Sequence, residues 1–244
     1  MDIAYITDPG KVRDHNEDSV LVVKNGSGEY LMAVADGMGG HRGGEVASSL
    51  VVSHLGKRFT GIDTVGTKED AINFIKEVVS ECNILINKHT EEHPESFGMG
   101  TTLVLALVTP SFLLFGNLGD SSGFVIKNGK IEKITNDHTL VNLLVKSGEL
   151  TPEEAKNHPN RNVLMKALGS LTTVEMDIFD VETDVDGILL CSDGLTNMLE
   201  FDQIARVLNE NLTPQQKVSK LVVKSNNRGG TDNISIAYLV KAGE

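Results

Sequence analysis

The sequence predicts an α+β fold in which paired helices cover antiparallel sheets, and three observations carry that expectation. Runs rich in β-branched and aliphatic residues follow one another through connections too short for parallel crossovers, so neighbouring runs should pair antiparallel. Stretches with helical periodicity stand between groups of these runs, ready to cover a sheet face. No Pro/Gly/Ser-rich linker, low-complexity tract or repeat interrupts the 244 residues, so a single domain spanning 1–244 is expected.

The first strands are expected at 18–24 and 29–35, joined by Asn25-Gly26-Ser27-Gly28, a hairpin signal because Asn and Gly tolerate the positive φ of tight turns. Helices follow at 44–59 and through Ala71, Ile75, Val78, Cys82 and Leu85, whose alternating spacings of four and three form one stripe and place Cys82 in the core. Strands at 102–108, 112–118, 124–127 and 130–135 come next, the last two joined by Asn128-Gly129. From 140 to 168 the pattern is helical again, with Thr151-Pro152-Glu153-Glu154 supplying an N-cap, a first-turn Pro and a capping-box acid. Strands resume at 174–181 and 187–191. Helices at 202–208 and, after Thr213-Pro214-Gln215-Gln216, up to 223 precede a last strand at 234–240.

Acids outnumber basic residues by 34 to 22, a net charge of −12, which disfavours nucleic acid and anionic membranes as partners. Two cysteines, Cys82 and Cys191, make neither a disulfide framework nor a zinc spacing, and a reducing compartment is the simple reading. Met1-Asp2-Ile3-Ala4 shows no basic, apolar leader, and the longest apolar stretch, 103–108, is far short of a membrane span. A cytoplasmic location is expected.

Where the acids fall is informative. Leu31-Met32-Ala33-Val34-Ala35 ends in Asp36-Gly37, Leu113-Leu114-Phe115 leads to Gly119-Asp120, Ile188-Leu189-Leu190-Cys191-Ser192 ends in Asp193-Gly194, and Asp232-Asn233 precedes Ile234. Turn chemistry explains any one of these. Four together, at the lips of apolar strands, would repel one another unless cations neutralise them. Carboxylates without His or Cys suit hard ions such as Mg2+ or Mn2+, and two such ions can bind a phosphoryl oxygen and activate water. In the loop from Lys11 to Asp18, Arg13 offers a planar fork for a phosphate monoester and Asp18 a carboxylate one layer behind the ions.

Seven motifs, in order along nearly the whole chain, resemble the type 2C metal-dependent Ser/Thr protein phosphatases (PPM family). They are Thr7 to Asp18, Asp36-Gly37-Met38-Gly39-Gly40-His41, Gly98-Met99-Gly100-Thr101-Thr102, Gly119-Asp120-Ser121, Asp137-His138-Thr139, Ser192-Asp193-Gly194-Leu195 and Gly230-Thr231-Asp232-Asn233. The length and the Asp-Gly-Met-Gly-Gly-His form resemble the bacterial branch. The resemblance implies a four-layer α-β-β-α sandwich of two mainly antiparallel sheets, and hydrolysis of phosphoserine and phosphothreonine in proteins by water activated at a dinuclear or trinuclear Mn2+ or Mg2+ centre. It implies metal binding by Asp36, the Gly37 carbonyl, Asp193 and Asp232, with Asp120 and Asp193 at a third ion. It also implies phosphate binding by Arg13, a catalytic Asp18, a substrate contact at Thr139, and a flap at about 143–165 hinged at Gly148 and Thr151-Pro152. A cognate Ser/Thr kinase and a monomeric enzyme are the implied partner and state. Two positions depart from the pattern: Met38 stands where many eukaryotic relatives have a proton-donating His, leaving His41 as the candidate acid, and Ser122 stands where Arg usually follows Gly-Asp-Ser.

Other chemistries lack their residues. Cys191 has Asn197 rather than Arg six positions on, and no P-loop occurs. His89 and His93 sit one helical turn apart, but the intervening Glu is misplaced for a metalloprotease and a solvated helix end explains them. Two rivals from other classes are a phosphoprotein-binding pseudophosphatase, against which the full set of acids argues, and a calcium-binding structural domain, for which EF-hand spacing is absent.

Overall fold

Alternation along the strands builds three apolar layers, and these dictate the architecture. The computed structural model describes residues 1–40, 42–170 and 173–241. In chain order the elements are β1 (Asp2–Asp8), β2 (Asp18–Lys24), β3 (Tyr30–Met38), α1 (Gly43–Thr60), α2 (Lys68–Glu92), β4 (Gly100–Thr101), β5 (Leu103–Val108) and β6 (Leu113–Leu118). Then come β7 (Ser122–Lys127), β8 (Lys130–Lys133), α3 (Leu140–Ser147), α4 (Pro152–Lys156), β9 (Asp177–Val181), β10 (Gly187–Cys191), α5 (Asp193–Thr196), α6 (Phe201–Leu208), α7 (Pro214–Asn227) and β11 (Ile234–Val240). One sheet has the order β1-β11-β10-β7-β8; the other has β2-β3-β5-β6-β9, with β4 paired to β3. Every pairing is antiparallel.

Because successive strand residues face opposite ways, each sheet feeds two cores. Leu31, Ala33, Leu103, Leu105 and Leu107 face α1 and α2, whereas Met32, Val34, Val104 and Ala106 face Ile188, Leu190, Ala237 and Leu239 of the other sheet. The far side of that sheet, through Leu189, Cys191, Ile234 and Ile236, packs against Leu195, Ile204, Val207, Val218 and Leu221 of α5 to α7. Three cores separate four layers, α-β-β-α, as the resemblance implies. Cys82 and Cys191 are both fully buried. No helix among the described residues is long and apolar enough to cross a membrane.

Local signals mark most boundaries correctly. Thr67, Thr151 and Thr213 each cap a helix with a reciprocal capping box. Several expectations need correction; among the smaller ones, α7 runs to Asn227 rather than 223 and β8 stops at Lys133. β1 is a strand that the sequence reading leaves out; it mixes Asp2 and Asp8 with exposed Ile3 and Tyr5, and its pairing partner lies at the other end of the chain, Asp2 opposite Val240. The helical pattern expected over 140–168 holds only for α3 and α4. Pro159 disfavours helical φ/ψ at His158, and the chain then runs back to pair Leu164 with Thr139 and Leu168 with Thr101. Finally, the strand expected from 174 begins at Asp177.

Candidate active site

Antiparallel pairing puts the start of one strand beside the end of its neighbour, and this gathers the acids. Asp18 opens β2 directly opposite Asp36 near the end of β3. Asp193 follows β10, Asp232 precedes β11, and Asp120 precedes β7, whose Ser122 pairs with Cys191 at the end of β10. Asp36, Asp120, Asp193 and Asp232 therefore line one cleft of about 260 Å3, together with Arg13, Glu17, Gly37, Met38, Thr102, Asn162 and Leu164.

The backbone at Asp36 is held tightly. Its N–H donates to Thr102 Oγ1 at 3.0 Å, and its carbonyl accepts from Thr102 N–H and Thr101 Oγ1–H, both at 2.9 Å. Gly37 must be glycine, because a Cβ there would lie 2.1 Å from the Gly44 carbonyl oxygen at the start of α1. Gly37 N–H also donates to the Glu17 carbonyl at 3.1 Å, tying β3 to the loop that carries Arg13.

That loop is pinned by Asn233, whose role the sequence reading did not single out. Asn233 is 5% exposed; its Nδ2 donates to the carbonyls of Pro9 (3.0 Å) and His15 (2.9 Å), and its Oδ1 accepts from Glu17 N–H at 2.8 Å. Arg13 extends from this loop and donates from Nη2 to Asp232 Oδ2 at 2.8 Å, with its side chain half exposed. Ser192 is a second unanticipated residue: its hydroxyl donates to Asp18 Oδ2 at 2.7 Å and accepts from Ser235 N–H. The only sequence signal for either was its place beside a motif acid.

Crowding sets the electrostatics. Burial, then the charges of Asp18, Asp193, Asp120 and Asp232, hold the Asp36 carboxyl well above the ordinary carboxylate range. Burial pushes Asp18 up to about 7 despite hydrogen bonds from Ser192 and Ser235, and pushes Asp120 up to about 7 with help from Asp193. Asp193 rises to about 6, through burial and then Asp232, although Asn197 Nδ2 donates to its Oδ2 at 2.9 Å. Asp18 Oδ1 and Asp193 Oδ1 are buried and have no hydrogen-bond partner. Groups so placed call for positive charge, and an all-oxygen donor set fits a hard divalent cation. No three acidic, His or Cys side chains among the described residues form a ready-made ligand cage. Arg13 occupies one Asp232 oxygen and Asn197 one Asp193 oxygen.

Two predicted residues stand apart. His41 lies outside the described residues. Thr139 is 7% exposed, and its hydroxyl caps α3 by accepting from Asn142 N–H at 3.3 Å, which leaves it out of the cleft lining. Ser122, at the position departing from the pattern, is buried at the start of β7.

A four-layer sandwich whose strand ends deliver carboxylates and one arginine to a single cleft defines a metal-assisted hydrolase. Residues 11–224 match the family model described as "Protein phosphatase 2C". The chain is 38% identical over 237 residues to the serine/threonine phosphatase stp of Listeria monocytogenes, covering 97% of this chain and 94% of that protein. Among solved structures, the S. agalactiae serine/threonine phosphatase superposes with a TM-score of 0.93 at 34% identity, over 98% of this chain and 99% of that one. The catalytic domain of the phosphatase PstP in complex with two manganese ions superposes with a TM-score of 0.84 at 34% identity, over 97% and 96%. The chain belongs to the protein phosphatase 2C family, in its bacterial branch, and is a protein serine/threonine phosphatase.

Proposed function

We propose that this phosphatase hydrolyses phosphoserine and phosphothreonine esters in proteins through water or hydroxide activated at a centre of two Mn2+ or Mg2+ ions, with a place for a third. Asp36 would bridge two ions, the Gly37 carbonyl would join one, Asp193 and Asp232 would hold the other, and Asp120 with Asp193 would take the third. The observation that supports this most is the convergence of four carboxylates and Arg13 on one cleft. The two manganese ions held by the PstP catalytic domain point the same way. When bound, such ions supply Lewis acidity and bring the pKa of water toward neutrality.

The remaining chemistry falls to the chain. Arg13, on a half-exposed side chain, would leave Asp232 and clamp the phosphoryl group through its planar fork. Asp18, oriented by Ser192, would accept a hydrogen bond or proton from behind Asp36. His41 would protonate the leaving serine or threonine oxygen, since the Met38 thioether has no acidic proton. Cys191 would not serve as a phosphate-accepting nucleophile: it is fully buried and its thiol is pushed up to about 12 by burial, which removes the thiolate. Residues 143–165 would form a flap over the cleft, to which Asn162 and Leu164 already contribute, hinged at Gly148 and Thr151-Pro152.

On this reading the phosphatase works as a cytoplasmic monomer in opposition to a Ser/Thr protein kinase. The test is turnover of a phosphopeptide after chelation: it should vanish and return with Mn2+, and turnover retained without divalent ions would refute the mechanism. Comparing phosphoproteomes with and without the enzyme would identify the opposing kinase's sites.

A further inference from the structure

We infer that His138 is a positioning residue for the Asp120 end of the cleft: its ring holds the Gly119-Asp120 turn, and its main chain fixes the returning end of the 143–165 segment to that turn. The inference rests on the reading of Asp120 as a ligand of a divalent cation.

Both polar backbone groups of Gly119 go to this one residue. Gly119 N–H donates to His138 Nδ1 at 3.1 Å, and Gly119 O accepts from His138 N–H at 2.9 Å. The turn needs such support. Gly119 has φ of +114°, and a Cβ there would lie 2.6 Å from Thr102 Cβ, so no side chain can lock the conformation. Asn117 Nδ2 adds a hydrogen bond to Gly119 O at 3.1 Å.

The ring can do this in one tautomer only. Its Nε2 lies 3.0 Å from Asp177 Oδ2, and Lys166 Nζ lies 3.4 Å from Asp177 Oδ1. A carboxylate in that pairing only accepts, so Nε2 carries the hydrogen and Nδ1 presents its lone pair to Gly119 N–H. In the other tautomer two N–H groups would face each other. His138 is nearly buried, with 9% of its side chain exposed, so water does not readily replace either bond. Its carbonyl accepts from Met165 N–H at 2.7 Å, and Leu140 N–H donates to Val163 O at 2.9 Å. The segment that returns from α4 is thereby registered against the turn bearing Asp120. A residue two bonds removed from the cleft can set carboxylate placement in this way, as partners of metal ligands generally do.

The test uses the whole chain, with Mn2+ as the probe, followed by calorimetric titration without substrate and by the Mn2+ dependence of phosphopeptide turnover. His138→Gln keeps a donor toward Asp177 and loses the acceptor for Gly119. It should weaken the weakest Mn2+ site by about 10-fold, at the low end of what partner residues contribute, while kcat at saturating Mn2+ falls less than about 3-fold. His138→Asn places an oxygen where Nδ1 was and should recover most of the lost affinity. Equal weakening in the two variants, or no weakening in His138→Gln, would overturn the inference. Should His138→Gln fail to fold, Asp177→Ala and Asp177→Asn read the same tautomer dependence. Ala should weaken the site and Asn, still accepting from Nε2, should not; equal behaviour overturns it. Asp120→Asn separates the layers of the argument. If it leaves the titration unchanged, the Asp120 reading fails and this inference with it; if it weakens the site while His138→Gln does not, only the His138 inference fails.

Discussion

Replacing Asp193 by Asn should stabilise the metal-free protein while destroying its activity. Burial and the neighbouring Asp232 raise the Asp193 carboxyl from 3.8 to about 6 in the folded state. A raised acid opposes folding once the unfolded chain has ionised. The penalty is small below about pH 4, grows as pH rises from 4 to 6, and is constant above. Its size above pH 6 is about 3 kcal/mol. Asn removes the charge that Asp232 and Asp36 oppose. About 1 kcal/mol is lost if the Asn197 bond to Oδ2 is weakened. The expected net gain is about 2 kcal/mol, or roughly 4–8 °C in Tm for a domain of this size. Thermal unfolding of chelator-treated wild type and Asp193→Asn at pH 8 and pH 4 measures it. The variant should unfold higher at pH 8, the gap should nearly close at pH 4, and Mn2+ should stabilise the wild type more than the variant. Equal or lower stability of the variant at pH 8 would refute the argument that these acids are held together at a cost that cations offset.

Arg13→Ala should lower kcat/KM for a phosphopeptide by roughly 10- to 100-fold, the loss expected for a charge-assisted pair with phosphate. Its stability should change by less than about 1 kcal/mol, because the Arg13–Asp232 pair is exposed; Arg13→Lys should recover only part, and paired kinetic and unfolding measurements check both. Asn233→Ala removes three hydrogen bonds and strands the Pro9 and His15 carbonyls and the Glu17 N–H. It should cost about 2–4 kcal/mol by denaturant unfolding and raise KM by loosening the Arg13 loop; a cost below about 1 kcal/mol would contradict the pinning role.

Whatever depends on near neighbours in the chain was legible in the sequence. The Thr151 and Thr213 boxes, the Asn25 to Gly28 hairpin and the stripe through Cys82 are local devices, closed within four residues or one helical face. The motif acids were legible too, since each ends or begins an apolar strand. β1 was not, because a short, half-exposed strand has no period of its own and gains stability only from β11. The segment after Lys156 was misread as helix because apolar spacing alone does not reveal that Leu164 and Leu168 pair with Thr139 and Thr101.

The sequence alone therefore determined most of the element types and the acids that carry charge, and its motifs, through the family they resemble, implied the four layers. Only the tertiary structure decided that Asn233 pins the Arg13 loop across 216 positions to Glu17, that Ser192 orients Asp18 across 174, and that His138 links Gly119 to Asp177. Hydrogen bonds act over about 3 Å of space whatever the distance along the chain, so the residues that aim the acids become visible only once the sheets are stacked.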